Sequence, residues 1–366
     1  MKNIRVLHTE WSDGWGGQEI RTIGEMEALR EKGVQLFLAC KDNAKIKEKA
    51  LEKGFKVFTL DFRSNTDFKT LFALIKIIKK EKIDIVNTHS GKDTWVGGLA
   101  AKFTGAKFIR TRHLSNPVNA SKLNFINSLA DYIMTTGESV RQAMIQENKV
   151  DPNKIKSVPT GIDDTLFDPS KYNKAEEREK LGIKENEIAI GILAVLRGFK
   201  RHDIFLEMAK KLTLKYPEAT FLIAGTGPGE TRIRKMIEDM KLTERVRMIG
   251  HTDEPARFLS ALDIFTLTSD SSEGVPQSVM QALMMQLPVI ATNVGSTKDL
   301  LNNDNFILIE PKNVDILVEQ MEKLIQDKEL RSNYSQKARA YIVNNFSRKV
   351  MAKNIQHIYN TLLQKD

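Results

Sequence analysis

Along the chain, short continuous apolar runs alternate with longer segments whose apolar residues return every three or four positions. In the first half the runs are IRVLHT, QLFLAC, VFTL, DIVNTH, KFIRTRH, YIMTTG and IKSVPTG. In the second half they are IAIGILAVL, TFLIAG, VRMIG, IFTLTS, PVIAT and FILIE. Continuous runs belong to strands covered on both faces, so the pattern predicts parallel sheets built from βαβ units. The intervening segments, such as EIRTIGEMEALREKG and DIFLEMAKKLTLKYP, predict amphipathic helices. DFKTLFALIKIIKKEK sets Leu71, Leu74, Ile75 and Ile78 on one stripe, with Lys69, Lys76, Lys79 and Lys80 elsewhere. It predicts a helix covering a sheet in preference to one lying on a membrane.

The pattern occurs twice, with enough strands in each half for its own sheet. The expected fold class is α/β, with two Rossmann-like, doubly wound parallel-sheet domains. The polar stretch GIDDTLFDPSKYNKAEEREKLGI, with its turn signals and new helix start, marks the break. Two such sheets facing each other leave an interdomain cleft at the carboxyl ends of their strands, where ligands bind.

Composition narrows the class. A chain of 366 residues, 41% hydrophobic and 28% charged, suits two soluble globular domains. The single cysteine, Cys40, excludes a disulfide framework and reads as a small buried strand residue. The start, MKNIRVLHTEW, is too mixed for a signal peptide, and no segment approaches a membrane span. The expected location is therefore the cytoplasm. Net charge is +9 and lopsided: residues 1–163 carry 27 Lys and Arg against 19 Asp and Glu, while the remainder is nearly balanced. Such a first half suits an anionic partner, either acidic lipid or a phosphorylated acceptor. With no zinc-finger spacing or aromatic RNA-binding signature, nucleic acid is not expected.

The densest chemistry lies in SSEGVPQSVMQALMMQLPVIATNVGS, residues 271–296. IFTLTS predicts a strand, so residues 269–274 form the loop at its carboxyl end, and Pro276 suits a first helical position. The N–H groups of Gly274, Val275, Gln277 and Ser278 then sit at a helix start, an anion site suited to phosphate. Glu273 is negative and is expected to contact neutral hydroxyls instead. Gln281, about two turns on, reaches toward the sugar of a nucleotide. Together these describe a nucleotide-sugar pocket, although a surface Glu and Gln flanking an ordinary amphipathic helix would show the same spacing.

SEGVPQSVMQALMMQLPVIATNVGS resembles the signature of glycosyltransferase family 4, retaining and metal-independent enzymes of GT-B architecture. The resemblance implies that Glu273 holds hydroxyls of the donor sugar. Gln281 stands where a second glutamate usually grips the ribose, which implies a weaker or re-oriented grip, since a neutral amide bonds less strongly than a carboxylate. LAVLRGFKRHD resembles the family's phosphate clamp, with Lys200 at its lysine position. Val195 stands at the arginine position, Arg197 takes over that role two residues later, and Arg201 replaces a glycine as a solvated neighbour. Cations of this kind neutralise a leaving diphosphate. No Asp-x-Asp pair occurs, in keeping with a clamp that uses no metal.

Further segments extend the resemblance. WSDGWGGQE follows the first strand and opens a helix at residues 18–30; Gly16 and Gly17 there would lie between donor phosphate and acceptor. FIRTRH ends at His113, which in the family lies against the transferred sugar; Arg110 and Arg112 suggest an exposed, electropositive setting. His8 and His89 also end strand-like runs and read as structural or supporting residues. VPTGIDDTLFDP resembles the family's hinge, with Thr160 in place of Asn, and Gly161 and Asp163 retained. GTGPGE is not a dinucleotide fingerprint, because Glu230 occupies the third glycine place; Gly225 and Gly227 are expected to wall the cleft near the nucleotide. RMIGHTDE resembles the segment that lies against the base, which assigns His251 to donor binding.

The resemblance thus implies an acceptor-side domain of residues 1–165 plus 350–366, the latter a helix crossing back, and a nucleotide-sugar domain of residues 166–349. The expected reaction moves a sugar with retention from a nucleotide-diphospho-sugar, UDP-sugar first and GDP-sugar next. The acceptor would be a glycan or lipid-linked molecule of bacterial surface polysaccharide or lipopolysaccharide assembly. No cofactor or divalent metal is expected. The basic first domain would attach peripherally to an anionic membrane surface on the inner face. Rival readings are a non-hydrolysing sugar-nucleotide epimerase, an inactive sugar-nucleotide-binding subunit and a nucleic-acid-binding module.

Overall fold

The computed structural model describes residues 4–113, 125–271 and 273–364. The chain forms two compact units, Met1–Gly161 with Arg348–Asp366, and Ile162–Ser347.

The first unit holds β1 (Arg5–Glu10), β2 (Gln35–Cys40), β3 (Lys56–Thr59), β4 (Ile85–Thr88), β5 (Lys107–Arg112), β6 (Tyr132–Thr135) and β7 (Ile155–Ser157). These form one parallel sheet in the order β3-β2-β1-β4-β5-β6-β7. The second unit holds β8 (Ile188–Leu193), β9 (Ala219–Ala224), β10 (Val246–Gly250), β11 (Ile264–Leu267), β12 (Val289–Thr292) and β13 (Ile307–Ile309). Its sheet, also parallel, runs β10-β9-β8-β11-β12-β13. Each apolar run of the sequence supplies one strand. In both sheets the order reverses beside the first strand, between β1 and β4 and between β8 and β11, the place where such folds bind ligands.

Strand alternation explains why the runs are continuous. Val6, Leu38, Ile85 and Ile109 pack under the helices Gly17–Arg30 and Arg348–Gln364, with Met26, Leu29, Met351, Ile355 and Tyr359. Their neighbours Leu7, Phe37, Val86 and Phe108 pack on the other face with Leu71, Leu74, Val96 and Ala100. These come from the helices Phe68–Glu81 and Gly91–Thr104. Phe68–Glu81 thus covers the sheet through Leu71, Leu74 and Ile78, and Asp67 caps it by accepting the Thr70 N–H at 3.1 Å. At residue 161 the backbone passes so close to Arg348 that a Cβ would lie 2.6 Å from its Cα, a contact only glycine permits. Among the described residues no helix is long and apolar enough to cross a membrane.

Two boundaries differ from expectation by one residue. The first helix begins at Gly17, with Gly16 as its cap. The helix after β11 spans Gln277–Met284, so Pro276 is its cap and not its first residue. With φ −70° and ψ 117°, Pro276 has the extended ψ of a cap, which its ring allows as readily as a helical one.

Candidate active site

In the second unit the loop after β11 and the loop after β8 meet. Thr268 Oγ1 donates to the carbonyls of Lys200 and Arg201, both at 3.0 Å, and the Asp270 N–H donates to the Phe199 carbonyl at 2.9 Å. These bonds bring Lys200 to Glu273. Lys200 Nζ lies 2.5 Å from Glu273 Oε1, with the side chains 13% and 8% exposed, and Ser269 Oγ donates to the same oxygen at 2.5 Å. The backbone at Glu273 is held in turn by Gly295. That residue has φ +57°, and a Cβ on it would lie 1.9 Å from the Glu273 carbonyl oxygen. Only glycine tolerates both conditions. A half-buried cation and a buried carboxylate therefore stand at the carboxyl ends of β8 and β11, the switch point of this sheet.

The helix Gln277–Met284 buries Val279, Met280, Ala282, Leu283 and Met284. Gln277, Ser278 and Gln281 stay half-exposed, and Gln281, four residues after Gln277 and three after Ser278, shares a face with both. Val275 is a core residue at 6% exposure, so only its backbone can meet a ligand, while Gly274 is half-exposed and its carbonyl accepts from the Ser296 N–H at 3.2 Å.

Other expected residues are placed differently. Arg197 is exposed and lines an open pocket of about 410 Å³ with Leu196, Gly198, Arg201 and Arg232. Its carbonyl accepts the Lys200 N–H at 3.1 Å. Arg201 is no solvated neighbour. Its guanidinium bonds both Asp203 oxygens and pairs with Asp270 at 3.0 Å, and these carboxylates raise its already high pKa. The Asp270 bond ties the clamp loop to the loop after β11, and Arg201 itself sits in a left-handed turn at φ +50°. Gly225 and Gly227 are explained by packing: a Cβ on Gly225 would meet the Ala194 oxygen at 2.0 Å, and one on Gly227 would meet Leu196 backbone atoms at 2.9 Å. His251 is exposed beside the edge strand β10, 3.3 Å from Asp253 Oδ1.

In the first unit, His113 departs from the expected exposed setting. It is half-buried and ends a chain of three rings. His8 Nδ1 lies 2.8 Å from His89 Nε2, and His89 Nδ1 lies 2.9 Å from His113 Nε2. The ring centroids are 5.1 and 5.2 Å apart. Strand geometry produces the chain. His8 on β1 is opposite Asn87 on β4, so His89 stands two residues further along, and His113 stands a further step along β5. Such diagonal neighbours on one face are within reach of each other. Burial holds all three rings neutral: the His8 pKa falls to about 3, and those of His89 and His113 fall well below the ordinary value. Arg21 and Glu25, paired at 3.6 Å and fully buried, lie in the same polar layer.

A second group was not foreseen from sequence. Glu10, the last residue of β1, accepts the Ser12 N–H at 2.9 Å and bonds from Gln18 and Ser90. Its pKa is pushed up to about 7, first by burial and then by Asp93. Burial also raises Asp93, which accepts from Thr9 Oγ1 and the His89 N–H, both at 2.9 Å. Gly16 adjoins this group, and its N–H is taken by Glu19 at 2.9 Å. Among the described residues no group of three or more His, Cys, Asp or Glu side chains is arranged to hold a metal ion.

Comparison with known proteins accords with this arrangement. Residues 15–166 match the model described as Glycosyltransferase Family 4, and residues 173–341 match Glycosyl transferases group 1. The chain is 28% identical to the Escherichia coli UDP-Gal:alpha-D-GlcNAc-diphosphoundecaprenol alpha-1,3-galactosyltransferase, over 97% of this chain and 96% of that protein. It is 24% identical to the Staphylococcus aureus capsular polysaccharide biosynthesis glycosyltransferase CapM, over 93% and 94%. Among solved structures, a Rickettsia africae glycosyltransferase superposes with a TM-score of 0.91 at 23% identity, covering 100% of both chains. Anabaena Alr3699/HepE in complex with UDP superposes at 0.86 and 18% identity, covering 98% of this chain and 100% of that one. The two family models between them span β2 to β13 and the loops that carry Lys200 and Glu273: the chain belongs to glycosyltransferase family 4, the glycosyl transferases group 1, and is a retaining glycosyltransferase of GT-B fold.

Proposed function

We propose that this enzyme moves a sugar, with retention, from a UDP-sugar to a glycan or lipid-linked acceptor of bacterial surface polysaccharide assembly. One observation carries the reading: the largely buried Lys200–Glu273 pair at the switch point of the second sheet. A cation that leaves solvent needs an anion, and the diphosphate of a donor is one that Lys200 can serve with charge-assisted bonds. The start of the helix Gln277–Met284 adds N–H dipoles beside it. In this reading the second unit binds the nucleotide sugar and the first receives the acceptor.

Bond breaking at the anomeric carbon places negative charge on the leaving diphosphate. Lys200, Arg197 and the helix start stabilise that charge more in the transition state than in the ground state, which is what accelerates the step. Glu273, held by Ser269, orients sugar hydroxyls. Gln281 meets the ribose, and His113 lies against the transferred sugar. The acceptor hydroxyl attacks the same face that the diphosphate leaves, and its proton passes to the departing phosphate oxygen.

The UDP preference is supported by the E. coli relative, named for UDP-Gal, and by HepE, which was solved with UDP. The lipid-linked acceptor is supported by the diphosphoundecaprenol in the relative's name. The basic first half, with 27 cationic against 19 anionic residues through residue 163, suits a peripheral position on an anionic membrane. A thermal-shift screen of UDP-, GDP- and ADP-sugars tests the donor. Stabilisation by the UDP series, lost in Glu273→Ala, is expected; stabilisation by another base series refutes the donor assignment.

A further inference from the structure

The three histidines of the first unit form a one-dimensional hydrogen-bond chain whose direction is decided at its inner end. Each neutral imidazole carries one N–H and one lone pair. His89 is bonded at both nitrogens, so it donates at one and accepts at the other. Two alignments follow. In the inward one, His113 Nε2–H donates to His89, His89 Nε2–H donates to His8, and the last proton rests on His8 Nε2. In the outward one every proton shifts to Nδ1, and His8 Nε2 is a lone pair.

His8 is fully buried, and its Nε2 has no hydrogen-bond partner among the described residues. A proton there would leave a buried N–H unsatisfied, more costly than an idle lone pair. This selects the outward alignment.

We propose that His89, with His8 behind it at the buried end of the chain, is a positioning residue that holds His113 as the Nδ1–H tautomer, so that the carboxyl end of β5 offers substrate oxygens a neutral donor and not a base. The proposal rests on the reading that His113 lies against the transferred sugar. Asn87, Thr111 and Glu25 fill the same layer: Thr111 Oγ1 donates to Asn87 at 2.8 Å, and Asn87 Nδ2 donates to Glu25 at 3.2 Å. These residues bond among themselves, which leaves the imidazole chain to set its own direction.

The test is a two-bond ¹⁵N–¹H correlation spectrum of the full chain labelled at histidine, with the His113 signals assigned by their loss in His113→Gln. A pyrrole-type Nδ1 and a pyridine-type Nε2 on His113 are expected in the parent protein. In His89→Phe nothing donates to His113 Nε2, so His113 should show both tautomers, and kcat should fall roughly tenfold as one aligned hydrogen bond is lost, with donor KM little changed, whereas in His8→Phe the unpartnered end moves to His89 Nε2 and the outward alignment should persist. His89→Gln, which can accept at one end and donate at the other, should restore part of that loss relative to His89→Phe. A pyridine-type Nδ1 in the parent protein, or an unchanged His113 spectrum in folded His89→Phe, overturns the proposal. Full turnover in His113→Ala overturns the contact with sugar instead, while the parent spectrum still decides the tautomer.

Discussion

The Lys200–Glu273 pair allows a sharp separation of structure from chemistry. Consider Lys200→Met, Glu273→Gln and the double substitution. At 2.5 Å and an effective dielectric of about 20, the gross attraction is roughly 7 kcal/mol. With side chains only 13% and 8% exposed, desolvation takes back several kcal/mol of this. Removing the lysine alone leaves a buried carboxylate with one hydroxyl donor, Ser269, and should destabilise the second unit by about 3 kcal/mol. For a unit of this size that is roughly 6–12 °C in Tm. The double variant replaces the ion pair by a thioether and a neutral amide and should recover most of the loss, a coupling of about 2 kcal/mol. Turnover should not recover, because neither group can then serve the diphosphate or the sugar. Calorimetry and initial rates with a UDP-sugar measure the two quantities on the same samples. Single-variant stabilities that add within about 0.5 kcal/mol refute the pairing. Recovery of turnover along with stability refutes the chemical role and leaves the pair a structural tie.

Other perturbations address neighbouring features. Gly295→Ala places a methyl against the Glu273 carbonyl in a left-handed residue; it should cost at least about 1 kcal/mol of stability and, by displacing Glu273, on the order of a hundredfold in kcat/KM. An unaltered rate would mean the loop around Glu273 need not be rigid. Gln281→Ala should raise the donor KM several-fold and Gln281→Glu should lower it, as a charged acceptor outbonds a neutral one; an unchanged KM in both removes Gln281 from the ribose. Glu10 has a folded pKa near 7 against 4.5 when exposed, so the folded state holds its proton more tightly and stability falls as pH rises from about 4.5 through 7. Glu10→Gln should therefore gain about 3 kcal/mol relative to the parent protein between pH 4.5 and 8, and parallel urea-unfolding curves at the two pH values would contradict the assignment.

The strands were legible because parallel strands buried on both faces leave uninterrupted apolar runs, and Val6 beside Leu7 feeding opposite cores shows why. Lys200 and Glu273 were legible as candidates through family resemblance, since their loops are local in sequence. Their direct pairing was not, because it depends on Thr268 and Asp270 tying two loops that lie about 70 residues apart. Arg201 was misread for a related reason: its partner Asp270 comes from the other loop. The histidine chain was invisible because it requires the register of β1, β4 and β5, and no single segment carries that register. Glu10 gave no signal at all, since its raised pKa comes from burial and from Asp93, which the fold alone brings near.

The last helix, Arg348–Gln364, has a consequence for the order in which the chain matures. It supplies Met351, Ala352, Ile355, Ile358 and Tyr359 to the core of the first unit, yet it is synthesised after every residue of the second. The second unit is continuous in sequence and can close as soon as it has left the ribosome. The first, although made earliest, must wait with the apolar face of Val6, Leu38, Ile85 and Ile109 partly uncovered until the helix Arg348–Gln364 has been made. Biogenesis therefore runs against the direction of synthesis, and the interval before that helix emerges is when the nascent protein is most exposed to aggregation and most in need of a chaperone.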